Sequence, residues 1–175
     1  MTRREIEPTR LRVMAVEGWK DRWFLLASGD FHAKSFNMMT VGWGGLGYFW
    51  KRPLAVIAVR PSRYTYEFIE RYPDFTLSQF PKEYSKTLAW CGAHSGRTVD
   101  KVKTTGLTPT ASRQVAAPAF AEAELVLECR KIYWTDLEPA HFLADHIEAN
   151  YPNNDHHRIY FGEILAASGT QAYHG

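Results

Sequence analysis

The stretch Val56-Ile57-Ala58-Val59 runs straight into Arg60-Pro61-Ser62-Arg63-Tyr64-Thr65, and this junction constrains the fold more than any other part of the chain. Apolar, mostly β-branched residues suit a buried strand. Pro61 stops that strand, because it has no N–H for a ladder and its φ is fixed. Thr65 is placed to cap a helix over Tyr66 to Arg71. Arg60 and Arg63 add planar forks that fit phosphate or carboxylate, and a helix start also favours an anion. The pattern reads as an anion cradle or as a turn carrying surface arginines.

At 175 residues the chain is long enough for one domain with a real core. Its net charge of +2 comes from interspersed residues of both signs, which argues against nucleic acid as partner. Six Trp, nine Tyr and ten Phe suit either a β-rich core or a flat ligand. Cys91 and Cys129 stand far apart without CxxC spacing, so no zinc or redox pair is expected and no metal is assigned. Reduced thiols, no signal core after Arg3-Arg4, and no long apolar run give a soluble, cytoplasmic, membrane-free expectation.

The period-two and 3.6-residue patterns place strands at 11–16, 23–28, 36–45 and 56–59, followed by the helix to Arg71. Residues 46–53 read as a loop. Strand 75–80 is followed by a helix from Lys82 to about Trp90, and Thr98 is expected to cap a short helix ended by Gly106. Further strands fall at 112–117, 123–134 and 158–165, with a helix from Pro139 to Ile147. Residues 1–10 read as frayed or draped on a partner, and 168–175 as disordered. Roughly seven or eight strands without βα alternation suggest a mainly β, closed antiparallel barrel of Greek-key type with inserted helices.

Ser95-Gly96-Arg97-Thr98-Val99-Asp100-Lys101 offers a hydroxyl, an unhindered N–H, a guanidinium fork and a lysine at a helix start. It is a second anion candidate or a capping turn with surface charges. Asn37 and Thr40 lie three apart on a strand, hence on opposite faces, and share a ligand only with help from backbone or a bulge. The glycines that follow allow close approach of a ligand or form a bulge. Asp155-His156-His157 precedes the last strand; adjacent histidines face opposite ways and make a poor metal pair. Neither GxSxG nor HExxH occurs, so hydrolysis has no specific support.

In order, Asn37-Met38-Met39-Thr40-Val41-Gly42-Trp43, Arg60 to Thr65, Phe75-Thr76-Leu77-Ser78, Cys91 to Arg97 with Asp100-Lys101, and His157 with Gly162-Glu163-Ile164 resemble the flavin reductase-like family of FMN-binding split barrels, its flavoredoxin-like branch in particular. The resemblance spans about residues 23 to 166, flanked by an N-terminal segment (1–22) with an edge strand and a flexible tail (167–175). It implies a homodimer with noncovalent FMN. Asn37, Met39 and Thr40 would line the isoalloxazine and ribityl chain, with Trp43 near the ring. Ser62, Arg63, Tyr64, Thr65, Ser95, Gly96, Arg97 and Lys101 would hold the phosphate side. His157 matches a catalytic position facing the nicotinamide, although His156 replaces the acidic residue common before it. The implied activity is NAD(P)H-dependent flavin reduction, with NADH or NADPH as donor. An electron carrier reduced by a redox protein partner and a non-catalytic flavin-binding barrel are the alternatives.

Overall fold

The computed structural model describes residues 2–175. Its spine is β10 (Arg158–Gly169). Along one edge β10 pairs antiparallel with β9 (Leu125–Asp136) over nearly its whole length. Its other edge is shared: Arg158 to Glu163 pair with β5 (Arg52–Val59), and Ala167 to Gly169 pair with β1 (Arg4–Ile6). Adding β2 (Phe24–Asp30), β3 (Ser35–Val41), β4 (Gly44–Phe49) and β6 (Asp74–Gln79) gives the hydrogen-bonded order β3-β2-β6-β9-β10-β5-β4. The two ends of that path are consecutive in the chain, joined only by Gly42 and Trp43. This is a mainly β split barrel.

Two apolar clusters explain why β2 reads as an unbroken hydrophobic run. Phe24 and Leu26 pack into the barrel with Phe75, Leu77, Ile57 and Tyr160. Leu25 and Ala27 face the other way, onto Met38, Phe120 and the residues Leu88 and Cys91 of helix α3 (Ser85–Ala93). A strand buried on both faces keeps no polar alternation. β6 departs from this pattern because the Thr76 hydroxyl, on its outer face, donates to Pro118 O at 2.6 Å.

Helix α1 (Glu17–Lys20) buries Trp19 against the barrel, and the 11–16 strand expected ahead of it is absent. Leu11 makes one bridge, to His174, while Met14 and Val16 point to solvent. The continuous strand expected over 36–45 is instead β3, a two-residue link and the start of β4. The loop expected at 46–53 is the rest of the β4–β5 hairpin. Its turn residues, Trp50 and Lys51, both have positive φ. Glycines at 44, 45 and 47 left β4 with too few side chains to show its period of two.

The expected strand at 112–117 is a loop between the two-residue strands β7 (Pro109–Thr110) and β8 (Ala119–Phe120). Buried carboxylates pin it instead: Asp74 accepts from Ala117 N at 3.0 Å, and Glu128 from Arg113 N at 2.9 Å. The helix expected from Pro139 is only a 3-10 turn, Pro139–His141, followed by irregular chain and a second turn, Glu148–Asn150. With Leu143 98% exposed, this segment lacks the packed apolar face that stabilises a helix. The tail is ordered against the body: β10 continues to Gly169, and the Gln171–Tyr173 turn buries Tyr173. No helix is long and apolar enough to cross a membrane among the described residues.

Gly162 sits beside a register shift between β10 and β9. A Cβ there would lie 2.4 Å from Phe75 Cζ and 3.0 Å from Cys129 Cβ, whereas a Cβ at Gly45 would meet nothing within 4 Å. Gly162→Ala is expected to lower the unfolding free energy by about 1–3 kcal/mol through overpacking. Gly45→Ala should change it by less than about 1 kcal/mol. Urea unfolding of the two variants against the parent checks the contrast, and equal shifts would contradict the packing described.

Candidate functional site

The C-terminal end of β5 and the middle of β3 open onto one cleft. Helix α2 (Tyr64–Arg71) starts there, after the turn Pro61-Ser62-Arg63. Arg63 is its N-cap residue and provides no side-chain cap. Thr65, expected as the cap, lies within the first turn and is 1% exposed; its hydroxyl accepts from Asn37 Nδ2 at 2.8 Å. The backbone N–H groups of Tyr64 and Thr65 have no protein acceptor among the described residues. The helix start thus presents free donors to the cleft.

The second anion candidate packs against the first. Gly96 touches β3 so closely that a Cβ would lie 2.1 Å from Asn37 Oδ1, so only glycine brings this turn to the cleft. Thr98 does not cap the next helix; its hydroxyl turns back to Ser95 O at 3.2 Å. Asp100 caps α4 (Lys101–Thr105), accepting from Lys103 N at 3.0 Å. Lys101, 5% exposed, donates to Met38 O at 2.8 Å and Cys91 O at 2.7 Å. Burial pulls its pKa down, and the Arg63 charge adds to that. Its ammonium thereby ties α4, β3 and α3 together beneath the cleft.

Arg63 Nη1 donates to Gly92 O at 3.2 Å. Arg97 pairs with Glu67 and lies over the Tyr64 ring, 4.9 Å from its centroid. Ser62, Arg63, Tyr64, Thr65, Ser95, Gly96, Lys101, Asn37 and Met39 together line a narrow cavity of about 90 Å³. It continues, through the shared residues Met39 and Arg63, into one of about 220 Å³ lined by Thr40, Gly42, Trp43, Ala58, Arg60 and His157. Asn37 and Thr40 do face opposite ways: the Thr40 hydroxyl donates to Leu88 O on α3 at 2.5 Å. They reach adjoining compartments of one cleft.

His157 is buried at the second compartment. Its ring packs on Trp43 at 4.9 Å, and Nδ1 is 2.9 Å from the Tyr151 hydroxyl. Burial pushes its pKa down to about 4, with the Arg60 charge acting in the same direction, so the imidazole is neutral near pH 7. Arg60 itself is engaged, donating to Asp155 Oδ1 at 2.5 Å and Asn150 O at 2.8 Å. Burial alone would raise the Asp155 pKa, but the hydrogen bonds from Ser62 and Arg60 hold it below the usual range. Arg60 and Asp155 therefore latch the 137–157 segment beside the cleft. Sequence reasoning gave Tyr151 no role, because nothing in that irregular segment shows that its ring turns inward.

The fold is shared with known proteins. Residues 25–172 match the family model described as a flavin reductase-like domain. An uncharacterized protein of Pyrococcus abyssi is 31% identical over 109 residues, 62% of this chain, and the match spans 60% of that relative. Flavoredoxin of Desulfovibrio vulgaris (Miyazaki F) superposes with a TM-score of 0.68 at 23% identity, covering 89% of this chain and 73% of that one. Flavoredoxin from Methanosarcina acetivorans gives 0.65 at 25% identity, covering 86% and 69%. The NADH:FAD oxidoreductase of Streptomyces globisporus C-1027 gives 0.64 at 20% identity, covering 87% and 78%. With its family model matched over most of its length and its split barrel shared with these structures, the chain belongs to the flavin reductase-like family.

Proposed function

We propose that this flavin-binding protein holds FMN noncovalently in the two joined compartments and accepts hydride from NADH or NADPH. The observation that carries the reading is the uncapped start of α2, where the unpartnered N–H groups belong to residues that line one cavity with Ser95 and Gly96, a cavity sharing Met39 and Arg63 with the one at Trp43 and His157. These residues fit the cofactor. Two free N–H groups and the hydroxyl of Ser95 suit a phosphate, while Met39 and Trp43 supply apolar walls for a flat ring. When bound, the flavin supplies two-electron redox chemistry.

The chain's own groups then act by holding and orienting. Asn37 is fixed by Thr65, so its amide keeps one orientation beside the phosphate compartment. Arg63, Arg97 and Lys101 supply positive charge from anchored positions, favouring an anionic ligand without reorganising. His157, catalytic in this reading, presents Nε2 as a neutral hydrogen-bonding atom while Nδ1 engages Tyr151. No proton stored on His157 is required near neutral pH. The likeness to two flavoredoxins favours, as a second reading, a carrier reduced by a redox protein partner.

The reading includes a cytoplasmic homodimer. Support for a second copy comes from the β4–β5 hairpin tip, where the half-exposed rings of Trp50 and Tyr133 pack together and against Phe161. Apolar patches of this kind mark interaction surfaces.

Anaerobic titration of FMN-reconstituted protein with NADH and NADPH, followed by flavin absorbance, is expected to bleach the flavin with at least one of them. Bound FMN that stays oxidised with both would favour the carrier, and no uptake of FMN would overturn the reading. Arg63→Ala should weaken FMN binding about tenfold, or about 1.4 kcal/mol, and leave hydride transfer within about twofold. Unchanged FMN affinity would remove Arg63 from the site. His157 has a folded pKa of about 4 against about 6.5 unfolded, so the unfolded chain binds the proton first as pH falls. Its contribution to stability is present above pH 6.5 and is lost between there and pH 4. Urea midpoints at pH 7 and pH 4.5 should fall further apart in the parent than in His157→Gln, and equal separations would exclude His157 as the responsible group.

A further inference from the structure

The Tyr151 hydroxyl and His157 Nδ1 are each other's only protein partners among the described residues, and both side chains are buried. The Tyr151 ring is held on several sides. The Arg60 guanidinium lies over it, 4.9 Å from the centroid, Phe142 stacks on it at 6.1 Å, and His156 tilts against it at 4.7 Å. Arg60 also fastens the chain before and after the ring, through Asn150 O and Asp155. The imidazole is fixed in turn between Trp43 and Tyr151, with ring centroids 4.9 and 5.5 Å away. Its Nε2 has no protein partner among the described residues, and His157 lines the compartment at Trp43.

A phenol and a neutral imidazole share such a contact in one of two ways. If Nδ1 carries the ring proton and donates it, the phenol hydrogen is left without a protein acceptor in a residue only 3% exposed. If the phenol donates, Nδ1 accepts and the ring proton sits on Nε2, on the side of the compartment. The second arrangement leaves no buried donor unpaired, so it is the favoured one. Burial keeps the phenol protonated and the imidazole neutral near neutral pH, so both groups are in the state this choice requires.

Resting on the flavin reading above, we propose that Tyr151 is a positioning residue that holds His157 as the Nε2–H tautomer and so makes this compartment a site for ligand oxygens. Arg60, Arg63 and Trp43, which line it, can only donate hydrogen bonds. The Thr40 hydroxyl has its hydrogen committed to Leu88 O. His157 is then the lining side chain that can present either a proton or a bare lone pair, and Tyr151 decides which. A polar wall made of donors selects a ligand that turns carbonyl or carboxylate oxygens to it, and it disfavours one that turns only N–H groups. The opposite tautomer would set a lone pair against those oxygens.

Long-range proton–nitrogen NMR of the isotope-labelled chain tests the assignment, the His157 signals being those lost in His157→Gln. The parent is expected to show a bare Nδ1 and a protonated Nε2 near neutral pH. Tyr151→Phe, which keeps the ring contacts and removes only the hydroxyl, should give a mixture of both tautomers. With FMN bound, the same variant should slow anaerobic reduction by NADH about fivefold while FMN affinity stays within about twofold. A proton on Nδ1 in the parent overturns the proposal, as does a Tyr151→Phe spectrum identical to the parent's. Unchanged reduction by NADH, or a parallel loss of FMN affinity, likewise removes the positioning role. If FMN is not taken up, or NADH leaves it oxidised, the function proposed above fails instead. The two spectra then decide the tautomer assignment by themselves.

Discussion

The three-way pairing of β10 is the constraint on which the rest of the structure depends. One edge carries β9; the other is divided between β5 and the short β1. Because side chains alternate with a period of two, a one-residue slip of β10 would turn Tyr160 out of the core and expose every inward residue beside it. Gly162 pins the register, since the space a Cβ would need there is filled by Phe75 and Cys129. Fixing β10 fixes the end of β5, and with it the point at which Pro61 turns the chain into α2. The geometry of the two compartments is inherited from a ladder that touches them only at Ala58 of β5.

At the cleft the cations are held by the protein. Lys101 is held by two carbonyls, Arg63 by Gly92 O, Arg97 by Glu67, and Arg60 by Asp155 and Asn150 O. Lys101 and Arg63, held by neutral carbonyl oxygens, are therefore fixed sources of positive potential rather than flexible arms that must lose entropy on meeting an anion, whereas Arg60 and Arg97 are paired with carboxylates. In the proposed reading, direct contacts to a phosphate would fall to the N–H groups at the start of α2 and to the Ser95 hydroxyl. This division of labour gives electrostatic preorganisation at the cost of burying Lys101, whose lowered pKa records that burial.

The sequence made the strong, long elements legible. The apolar run of β2, the alternation in β6, the Arg60–Thr65 junction and the Ser95–Gly96 turn all stand where local chemistry put them. What it hid was decided by non-local contacts. β4 looked like a loop because its glycines carry no pattern, yet β5 supplies its ladder. The tail looked disordered because no local signal shows Tyr173 finding a buried place on the barrel. Thr65 looked like a cap, since Thr before an apolar turn usually is one; Asn37, remote in sequence, claimed its hydroxyl instead. Asp100 rather than Thr98 caps α4 for a related reason, as Ser95 O already holds the Thr98 hydroxyl.

The 137–157 segment shows where local reading fails for a reason tied to the site. Apart from two short 3-10 turns its residues form no regular element, and it is held to the body by a few polar contacts: Arg60 to Asp155 and Asn150 O, and Ser62 to Asp155. All of its partners in those contacts line or flank the cleft. The segment is thus shaped by the site rather than by its own propensities, and the Arg60 cation that fastens it also helps keep His157 neutral. Fastening the segment and setting the charge of the cleft wall are consequences of one arginine, placed by the last residues of β5.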